Sequence, residues 1–264
     1  MIAYHWIAGR RNGVPLSGLM RTLTMPTCRI TASRYISGVE EHGEYFRIGL
    51  TCAVEPLMYP RRLPMHELYQ TIAETCDPTD WHRYETGKTV VTADDVVLDC
   101  GAAEGLFTLI ASQKCAKVYA VDPNPTFVDA MTRTFERVPN VEVVGAGLSE
   151  MDGSGHLIDE GIASAISTSG TGVPINMRSI DSLFGDAKIT YLKADVEGHE
   201  MDMLRGARRM IKTNRPKIAI TTYHRPGDSV AIARFLKEIV PEYRMLTKGI
   251  DISGEPIMLH AWVE

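Results

Sequence analysis

Four residues in the second half of the chain have side chains that suit acid-base chemistry. Lys193, Asp195 and Glu197 occur in the segment "YLKADVEG", and His224 ends the segment "IAITTYH". Carboxylates and imidazoles can take the proton of a hydroxyl group, and general-base catalysis of this kind typically contributes about 10²- to 10⁴-fold. We therefore predict a catalytic group of Asp195, Glu197, His224 and Lys193, in which Asp195 or His224 is the base.

The positions of these residues fit the ends of two neighbouring strands. In an extended strand Lys193 and Asp195 point to the same side, so the ammonium could orient the carboxylate. Structural roles stay open for two residues, since Lys193 could be an ordinary strand lysine and His224 could bind backbone. Glu200 and Asp202 fall in the first turn of a predicted helix, where acidic side chains gain about 0.3 to 1 kcal/mol. We interpret these two as helix-start charges outside the site.

A loop of small residues precedes this group in the sequence. The segment "LDCGAAEG" ends a predicted strand at Asp99, and Gly101 and Gly105 allow a tight turn and the close approach of a ligand to backbone. The helix behind the loop offers free N–H groups. The next predicted strand ends at Asp122, where a carboxylate can accept hydrogen bonds from ribose hydroxyls. Together these features predict a ligand that contains adenosine.

Two cofactors fit an adenosine site of this kind. Dinucleotide loops follow the pattern G-x-G-x-x-G and contact a pyrophosphate. Here Glu104 lies inside the loop, where a carboxylate would repel a diphosphate but would suit the ammonium of an amino-acid tail. S-adenosylmethionine is therefore favoured over NAD. An NAD-dependent oxidoreductase and a non-catalytic cofactor-binding module remain the alternatives.

Strand-like and helix-like segments alternate from Val96 onward. Five predicted strands, among them "VVLDC", "KVYAVD" and "VEVVGAGLS", are followed by helical patterns such as "EMDMLRGARRMIK". This order predicts an α/β fold with right-handed crossovers and a mostly parallel sheet covered on both faces. The last two predicted strands, "YRMLT" and "IMLHAWV", have no helix between them and should form an antiparallel hairpin. Ligands bind at the carboxyl ends of such strands, where the predicted site residues lie.

Several segments occur in an order that resembles a known family. "VVLDCGAAEGLFTL", "VYAVDPNP", "SIDSL", "LKADVEGHEMDMLRGA" and "KIAITTYHRPGD" resemble the FkbM-type family of S-adenosylmethionine-dependent methyltransferases. The resemblance covers about 84–264 and implies a Rossmann-like seven-stranded sheet with a C-terminal antiparallel hairpin. It divides the chain into an N-terminal extension, 1–84, and a cofactor-binding domain, 85–264. It also implies O-methylation of a hydroxyl on a sugar, glycolipid or secondary metabolite.

The same resemblance assigns the cofactor contacts. The glycine loop would surround the methionine part of S-adenosylmethionine, Asp122 would bind the ribose, and Gly147 with Leu148 would lie near the adenine. The implied cofactor-binding residues are Asp99, Gly101, Ala102, Glu104, Gly105, Asp122, Pro123, Asn124, Gly147 and Leu148. Ala103 stands where many related loops have glycine. The segment "GAGLSE" has no acidic residue for the adenine amino group, so adenine binding would depend on backbone and apolar contacts.

A metal site and the N-terminal segment are the open points of the sequence. Asp195, Glu197 and His224 could bind Mn²⁺ or Mg²⁺, but their spacing does not require an ion, so we predict no metal and leave metal dependence open. Residues 1–84 contain one predicted helix, "MHELYQTIAETC", and one predicted strand, "YFRIGLT". We interpret this segment as a lid or packing extension. The alternative is a dimerisation or substrate-selecting element, and the sequence therefore leaves open whether the protein forms a homodimer.

The amino-acid composition argues against several classes of partner and site. The chain has 264 residues, 44% of them hydrophobic, and a net charge of -5 without a run of Lys or Arg, which argues against a nucleic-acid partner. Five cysteines without a CxxC pair indicate neither a disulfide framework nor a thiolate zinc site. No segment approaches the roughly 20 apolar residues of a membrane span. Without a signal-peptide pattern, we expect a cytoplasmic protein with a small-molecule or glycan acceptor.

Overall fold

The N-terminal third of the chain forms short helices and a small antiparallel sheet. The computed structural model describes residues 1–22, 24–158, 165–167 and 172–264. The first elements are α1 (Ile2–Ile7), α2 (Leu16–Thr22), α3 (Cys28–Ala32), β1 (Ile36–His42), β2 (Tyr45–Leu50), β3 (Leu57–Pro60) and α4 (Met65–Cys76). The three strands pair in the order β1-β2-β3. β2 and α4 confirm the strand and the helix predicted for this part.

A larger α/β unit follows. Its elements are β4 (Val96–Cys100), α5 (Leu106–Ser112), β5 (Lys117–Asp122), α6 (Pro125–Thr134), β6 (Val141–Gly145), β7 (Gly147–Leu148), β8 (Gly153–Ile158), β9 (Ala165–Ser167), β10 (Val173–Arg178), α7 (Ile180–Leu183), β11 (Tyr191–Ala194), α8 (Glu200–Arg205), α9 (Arg208–Asn214), β12 (Lys217–Thr221), α10 (Asp228–Ile239), β13 (Arg244–Lys248) and β14 (Met258–Trp262). Strands and helices alternate along most of this unit, as the sequence predicts.

The main sheet has seven strands in the order β13-β14-β12-β11-β4-β5-β6. β6, β5, β4, β11 and β12 are parallel, while β14 pairs antiparallel with both β12 and β13. The predicted Rossmann-like sheet and its C-terminal hairpin are thus confirmed. The first strand, β4, lies between β5 and β11, so the chain leaves it toward one side and later returns on the other. A crevice for ligands opens at this kind of point, beside the carboxyl ends of the strands.

The two faces of the sheet have separate apolar cores, and β11 shows how they are divided. Leu192 and Ala194 pack with Met203 of α8 in one cluster. Tyr191 points to the other face and packs with Phe107 of α5. Successive strand residues alternate between faces, and Asp195 follows directly after β11 at the carboxyl edge. The cores therefore hold the site residues on rigid strand ends.

Two elements differ from the sequence-based expectation. The predicted single helix "EMDMLRGARRMIK" is divided into α8 and α9 at Gly206 and Ala207. Gly206 passes close to the backbone of Ser149, whose carbonyl oxygen would lie 2.1 Å from a Cβ at this position. The predicted third strand also ends early. Gly147 and Leu148 leave the main sheet and form β7 of a four-stranded sheet, β7-β10-β8-β9, which the sequence did not predict.

The N-terminal segment shares an apolar core with the α/β unit. Leu68 and Ile72 of α4 are buried against Leu106 and Leu109 of α5. This packing places one face of α4 beside the carboxyl edge of the main sheet. Among the described residues, none of the helices has the length and apolar character that crossing a bilayer requires.

Candidate active site

A cleft with an empty volume of about 1030 Å³ lies at the carboxyl edge of the main sheet. Its walls come from the loop after β4, the ends of β5, β11 and β12, and one face of α4. The lining residues are Gln70, Thr71, Glu74, Thr75, His82, Tyr84, Gly101, Ala102, Ala103, Glu104, Phe107, Val121, Asp122, Pro123, Phe127, Ala146, Leu148, Ile166, Lys193, Asp195, Val196, Glu197 and Tyr223. The cleft thus contains most of the residues that the sequence predicts for cofactor and acceptor.

The loop after β4 requires glycine at its start. Gly101 has a φ of 71°, and a Cβ at this position would lie 1.8 Å from the carbonyl oxygen of Asp195. Only glycine lets the loop pass so close to the end of β11. Gly105 has a φ of 88° and begins α5, where a Cβ would lie 2.9 Å from the Met131 Cγ. Gly101 thus brings the cofactor loop into contact with the end of β11, whereas Gly105 lets the start of α5 pack against Met131 of α6.

Glu104 is a buried carboxylate without a hydrogen-bond partner among the described residues. Its side chain is 1% exposed, and within the described part of the chain neither carboxylate oxygen has a hydrogen-bond donor. Burial raises the pKa of Glu104 to about 7. A carboxylate in this state is costly unless a cationic or donating group meets it. An ammonium group bound in the cleft would supply that partner, so Glu104 fits the amino-acid tail of S-adenosylmethionine.

Asp122 ends β5 on the same wall. One carboxylate oxygen accepts a hydrogen bond from the Ala103 N–H and the other from the Asn124 N–H, both at 2.8 Å. Burial raises the pKa of Asp122 to about 6. The two backbone donors fix the orientation of the carboxylate, and each oxygen keeps a lone pair for a ligand hydroxyl. This geometry suits the adjacent hydroxyls of a ribose.

Four of the predicted cofactor residues do not line the cleft. Gly105 starts α5, Gly147 lies in β7, and the Asn124 side chain accepts a hydrogen bond from the Thr126 N–H at the start of α6. Asp99 is fully buried behind the loop. Their positions indicate that they shape the loop and the helix starts, while Gly101, Ala102, Glu104, Asp122, Pro123 and Leu148 form the wall itself.

Lys193 reaches the floor of the cleft from β11. Its ammonium lies 2.9 Å from Asp99 Oδ1 and donates to the carbonyl oxygen of Gly101 at 2.6 Å. The Lys193 and Asp99 side chains are 4% and 0% exposed. Burial alone would lower the pKa of Lys193, but the charges of Asp99 and Asp195 raise it above its ordinary value. Lys193 thus holds the glycine loop against the sheet and stays charged.

We expect the substitution Lys193→Met to destabilise the fold rather than to act on catalysis alone. It leaves Asp99 as a buried charge without its partner, which typically costs about 3 to 5 kcal/mol. Urea unfolding of the parent and the variant measures the loss. Lys88→Met is the matched control, because Lys88 is 63% exposed and should change stability by less than about 0.5 kcal/mol. A loss below about 1 kcal/mol for Lys193→Met would contradict this structural role.

Asp195 follows β11, which β4 separates from β5 and Asp122. Its Oδ2 accepts a hydrogen bond from the Tyr84 hydroxyl at 2.7 Å, and its Oδ1 accepts one from Thr221 at 3.3 Å. Burial pushes the pKa of Asp195 upward, but His82, Lys193 and the Tyr84 hydroxyl outweigh that effect and lower it. Asp195 is therefore an ionised, oriented carboxylate facing the cleft.

His224 converges on this carboxylate, as the strand order predicts. Its Nε2 lies 3.6 Å from Asp195 Oδ1 and 3.4 Å from Glu197 Oε2. Glu197 has a φ of 49°, a backbone conformation that L-residues rarely adopt, and precedes Gly198 with a φ of 90°. This tight turn directs the Glu197 carboxylate back toward His224. Strain of this kind is frequent at functional sites.

Glu200 contacts this cluster in addition to taking its predicted place in the first turn of α8. Its side chain is fully buried and its Oε1 lies 2.7 Å from His224 Nδ1. Burial alone would lower the pKa of His224, whereas the contact with Glu200 and the nearby carboxylates raise it to about 9. Asp202 pairs instead with Arg205 on the surface, at 2.7 Å.

Three residues of the acceptor end were missed in the sequence. His82 and Tyr84 come from the segment "WHRYE" before β4, and Tyr223 follows β12. The His82 Nε2 lies 3.1 Å from the Tyr223 hydroxyl and 3.9 Å from Asp195 Oδ2. The aromatic and polar residues of "WHRYE", ten residues before the first strand of the main sheet, were the available signal. The segment therefore contributes directly to the site.

Comparison with known proteins identifies relatives of this fold and cleft. Residues 99–244 match the family model described as Methyltransferase FkbM domain. The chain is 30% identical over 153 residues to the hexuronic acid methyltransferase AglP of Haloferax volcanii. This alignment covers 55% of this chain and 62% of the relative. It is 39% identical over 54 residues to an rRNA adenine N-6-methyltransferase of Bacillus licheniformis, or 20% of this chain and 19% of that relative. The chain thus spans less than two thirds of these curated relatives.

A solved structure shares the architecture. The methyltransferase FkbM of Methylobacillus flagellatus KT superposes with a TM-score of 0.53 over 76% of this chain and 56% of that chain, at 23% sequence identity. The similarity shows a common fold. This common fold agrees with the parallel sheet and antiparallel hairpin described above.

Proposed function

Since the chain belongs to the FkbM methyltransferase family, we propose that it transfers a methyl group from S-adenosylmethionine to a hydroxyl of a sugar or related acceptor. The observation that carries this proposal is the pair of buried carboxylates, Glu104 and Asp122, on one wall of the cleft. Glu104 needs a cationic partner, and Asp122 is oriented for a diol. S-adenosylmethionine contains both groups, an amino-acid tail with an ammonium and a ribose with two adjacent hydroxyls.

The rest of the cofactor would meet small and apolar side chains. Ala146, Leu148 and Phe127 line the cleft beyond Asp122 and offer apolar surface for an adenine ring. Glu104 also argues against the NAD alternative, because a buried carboxylate in the loop would repel a pyrophosphate. Lys193 supports the loop from below through the Gly101 carbonyl. Together these residues support S-adenosylmethionine as the cofactor.

The predicted catalytic residues lie where an acceptor would enter. S-adenosylmethionine, when bound, supplies a methyl group on a positively charged sulfur. Asp195 is held by Tyr84 and Thr221 and faces the cleft, so it is positioned to orient an acceptor hydroxyl and to accept its proton. His224 does not line the cleft and acts through Asp195 and Glu197 as a positioning residue. Holding the reactants in line can itself be worth several kcal/mol.

The acceptor end of the cleft favours a polyhydroxylated molecule. Gln70, Thr71 and Glu74 of α4 present polar groups there, beside His82 and Tyr223. Such a wall can exchange hydrogen bonds with several hydroxyls, and an aromatic ring offers apolar surface to a sugar. The relative from Haloferax volcanii is named for a hexuronic acid. Both observations support a sugar acceptor for this chain.

Calorimetric titration with S-adenosylhomocysteine tests this proposal. We expect the parent to bind one equivalent and Asp122→Asn to bind about 10- to 100-fold more weakly, since hydrogen bonds to a charged group contribute about 1.5 to 3 kcal/mol. Asp94→Asn, at an exposed carboxylate, is the matched control and should bind like the parent. Absence of binding by the folded parent, or equal binding by Asp122→Asn, would refute the proposed cofactor.

A further inference from the structure

The carboxylates and the imidazole at the acceptor end have the arrangement of metal ligands. Asp195, Glu197 and His224 each offer one ligand atom, and the three atoms lie within 4.8 Å of one another. The His224 Nε2 lies 3.6 Å from Asp195 Oδ1 and 3.4 Å from Glu197 Oε2. Neighbouring ligands of a six-coordinate divalent cation are about 3 Å apart at bond lengths of about 2.1 Å. Small side-chain movements would close the set around an ion.

A second observation concerns the imidazole itself. The His224 side chain is 10% exposed, and its Nε2 has no hydrogen-bond partner within the described residues. Its Nδ1 lies 2.7 Å from Oε1 of the fully buried Glu200. A carboxylate at Nδ1 keeps hydrogen on Nδ1, so that Nε2 offers its lone pair toward Asp195 and Glu197 once its own proton is displaced. Carboxylates in this outer position orient and strengthen histidine ligands of metals.

We propose that Asp195, Glu197 and His224 bind one divalent cation, with Glu200 as the outer carboxylate that orients His224. Two carboxylates and one imidazole suit Mn²⁺ better than Mg²⁺, because Mg²⁺ prefers oxygen ligands alone. A proton on Nε2 is the competing occupant of this position, and it would form ion pairs with the same two carboxylates. Binding of the cation depends on these four side chains and does not require the proposed methyltransferase function.

The role of the cation rests on the proposed methyltransferase function. Asp195 and Glu197 line the cleft, so open coordination positions of the ion would face the acceptor. A divalent cation binds best to acceptors with two adjacent oxygens, such as a vicinal diol or a hydroxycarboxylate. The bound hydroxyl would then lose its proton more readily and would be held in line with the methyl group. The inferred acceptor class is therefore a chelating sugar or sugar acid.

Titration of the chelator-treated full chain with Mn²⁺, followed by electron paramagnetic resonance of free Mn²⁺, tests the site. We expect one Mn²⁺ per chain. Glu197→Gln, at a partly exposed side chain that should tolerate the change, and His224→Ala should each weaken binding at least about 100-fold. Glu200→Gln should weaken Mn²⁺ binding about 10- to 100-fold, although Glu200 does not itself contact the ion. Asp202→Asn, on the same helix turn but paired with Arg205 on the surface, should bind like the parent.

Titration with S-adenosylhomocysteine on the same samples separates the two proposals. If the parent binds S-adenosylhomocysteine but takes up no Mn²⁺ at about 1 mM, the cation site is refuted, the proton is the occupant, and the methyltransferase proposal stands. Equal Mn²⁺ binding by the parent and folded Glu197→Gln also refutes the site. If Mn²⁺ binds as expected but S-adenosylhomocysteine does not, the cation site stands and its proposed role in methyl transfer falls.

Discussion

Replacing Glu104 with Gln is expected to stabilise the free protein and to weaken its binding of S-adenosylhomocysteine. The side chain is 1% exposed and has no hydrogen-bond donor among the described residues, so the charged form is costly until a cation meets it. Gln keeps the shape and removes the charge. Loss of a buried charge-assisted contact typically costs about 1.5 to 3 kcal/mol, so the affinity should fall about 10- to 100-fold.

The gain in stability should depend on pH with a definite sign. Burial raises the pKa of Glu104 from 4.5 to about 7, so between these values the folded state binds more proton than the unfolded state. The free energy of unfolding therefore falls as pH rises through this window. At about 1.4 kcal/mol for each pKa unit, the full cost above pH 7 is on the order of 3 kcal/mol. Glu104→Gln should be more stable than the parent at pH 8 and nearly equal at pH 4.5.

Thermal unfolding at the two pH values, together with calorimetry, measures both effects. Glu150→Gln, at an exposed carboxylate, is the control and should change neither stability nor affinity. The affinity of the parent for S-adenosylhomocysteine should rise with pH up to about 7, because the ammonium needs the ionised carboxylate. The affinity of Glu104→Gln should depend less on pH and should follow only Asp122, whose pKa is about 6. If Glu104→Gln binds S-adenosylhomocysteine as tightly as the parent, Glu104 is not part of the cofactor site.

The cofactor end and the catalytic strand ends could be predicted because local pattern and topology determine them. Asp122 ends the strand that follows the glycine loop and α5, and the alternation of elements requires parallel neighbours. Since β11 and β12 are neighbours, Asp195 and His224 had to meet at the carboxyl edge. These residues were identified without knowledge of any side-chain contact. The order of the strands was sufficient.

The buried ion pair could not be predicted, because it depends on strand register. Lys193 lies opposite Asp99 in the pairing of β11 with β4, and a shift of one residue would separate their side chains. Glu200 was missed for a different reason. It lies three and four residues before Met203 and Leu204, which are both fully buried, so helical periodicity already placed it on the buried face. Its charge outweighed that signal in the interpretation.

The residues that line the acceptor end of the cleft could not be predicted, because their positions depend on packing between distant parts of the chain. α4 shows an amphipathic pattern that predicts a helix, but nothing local indicates that it packs on α5. That contact brings Glu74 to the cleft, and the segment after α4 then carries His82 and Tyr84 to Asp195. A segment interpreted as a packing extension therefore also contributes to the site, which favours the substrate-selecting alternative.

Asp195→Asn is expected to abolish most turnover and to leave cofactor binding nearly unchanged. Asn keeps the shape and can still meet the Tyr84 and Thr221 hydroxyls, but it cannot accept the acceptor's proton and is a poor ligand for a cation. Loss of a general base typically lowers the rate by about 10²- to 10⁴-fold. Asp195 lies at the acceptor end, away from Glu104 and Asp122, so the dissociation constant for S-adenosylhomocysteine should change less than about threefold.

Formation of S-adenosylhomocysteine in the presence of sugar and uronic acid acceptors measures turnover, and calorimetry measures binding. Asp122→Asn provides the reciprocal comparison, since it should lose affinity at the cofactor end of the cleft, whereas Asp195→Asn should lose rate at the other end. Thr221 and Tyr84 hold Asp195 through hydroxyl groups, so Tyr84→Phe should reduce turnover by a smaller factor than Asp195→Asn. If Asp195→Asn retains parental turnover with an acceptor that the parent methylates, the proton is taken elsewhere and Asp195 serves only to orient the strand end.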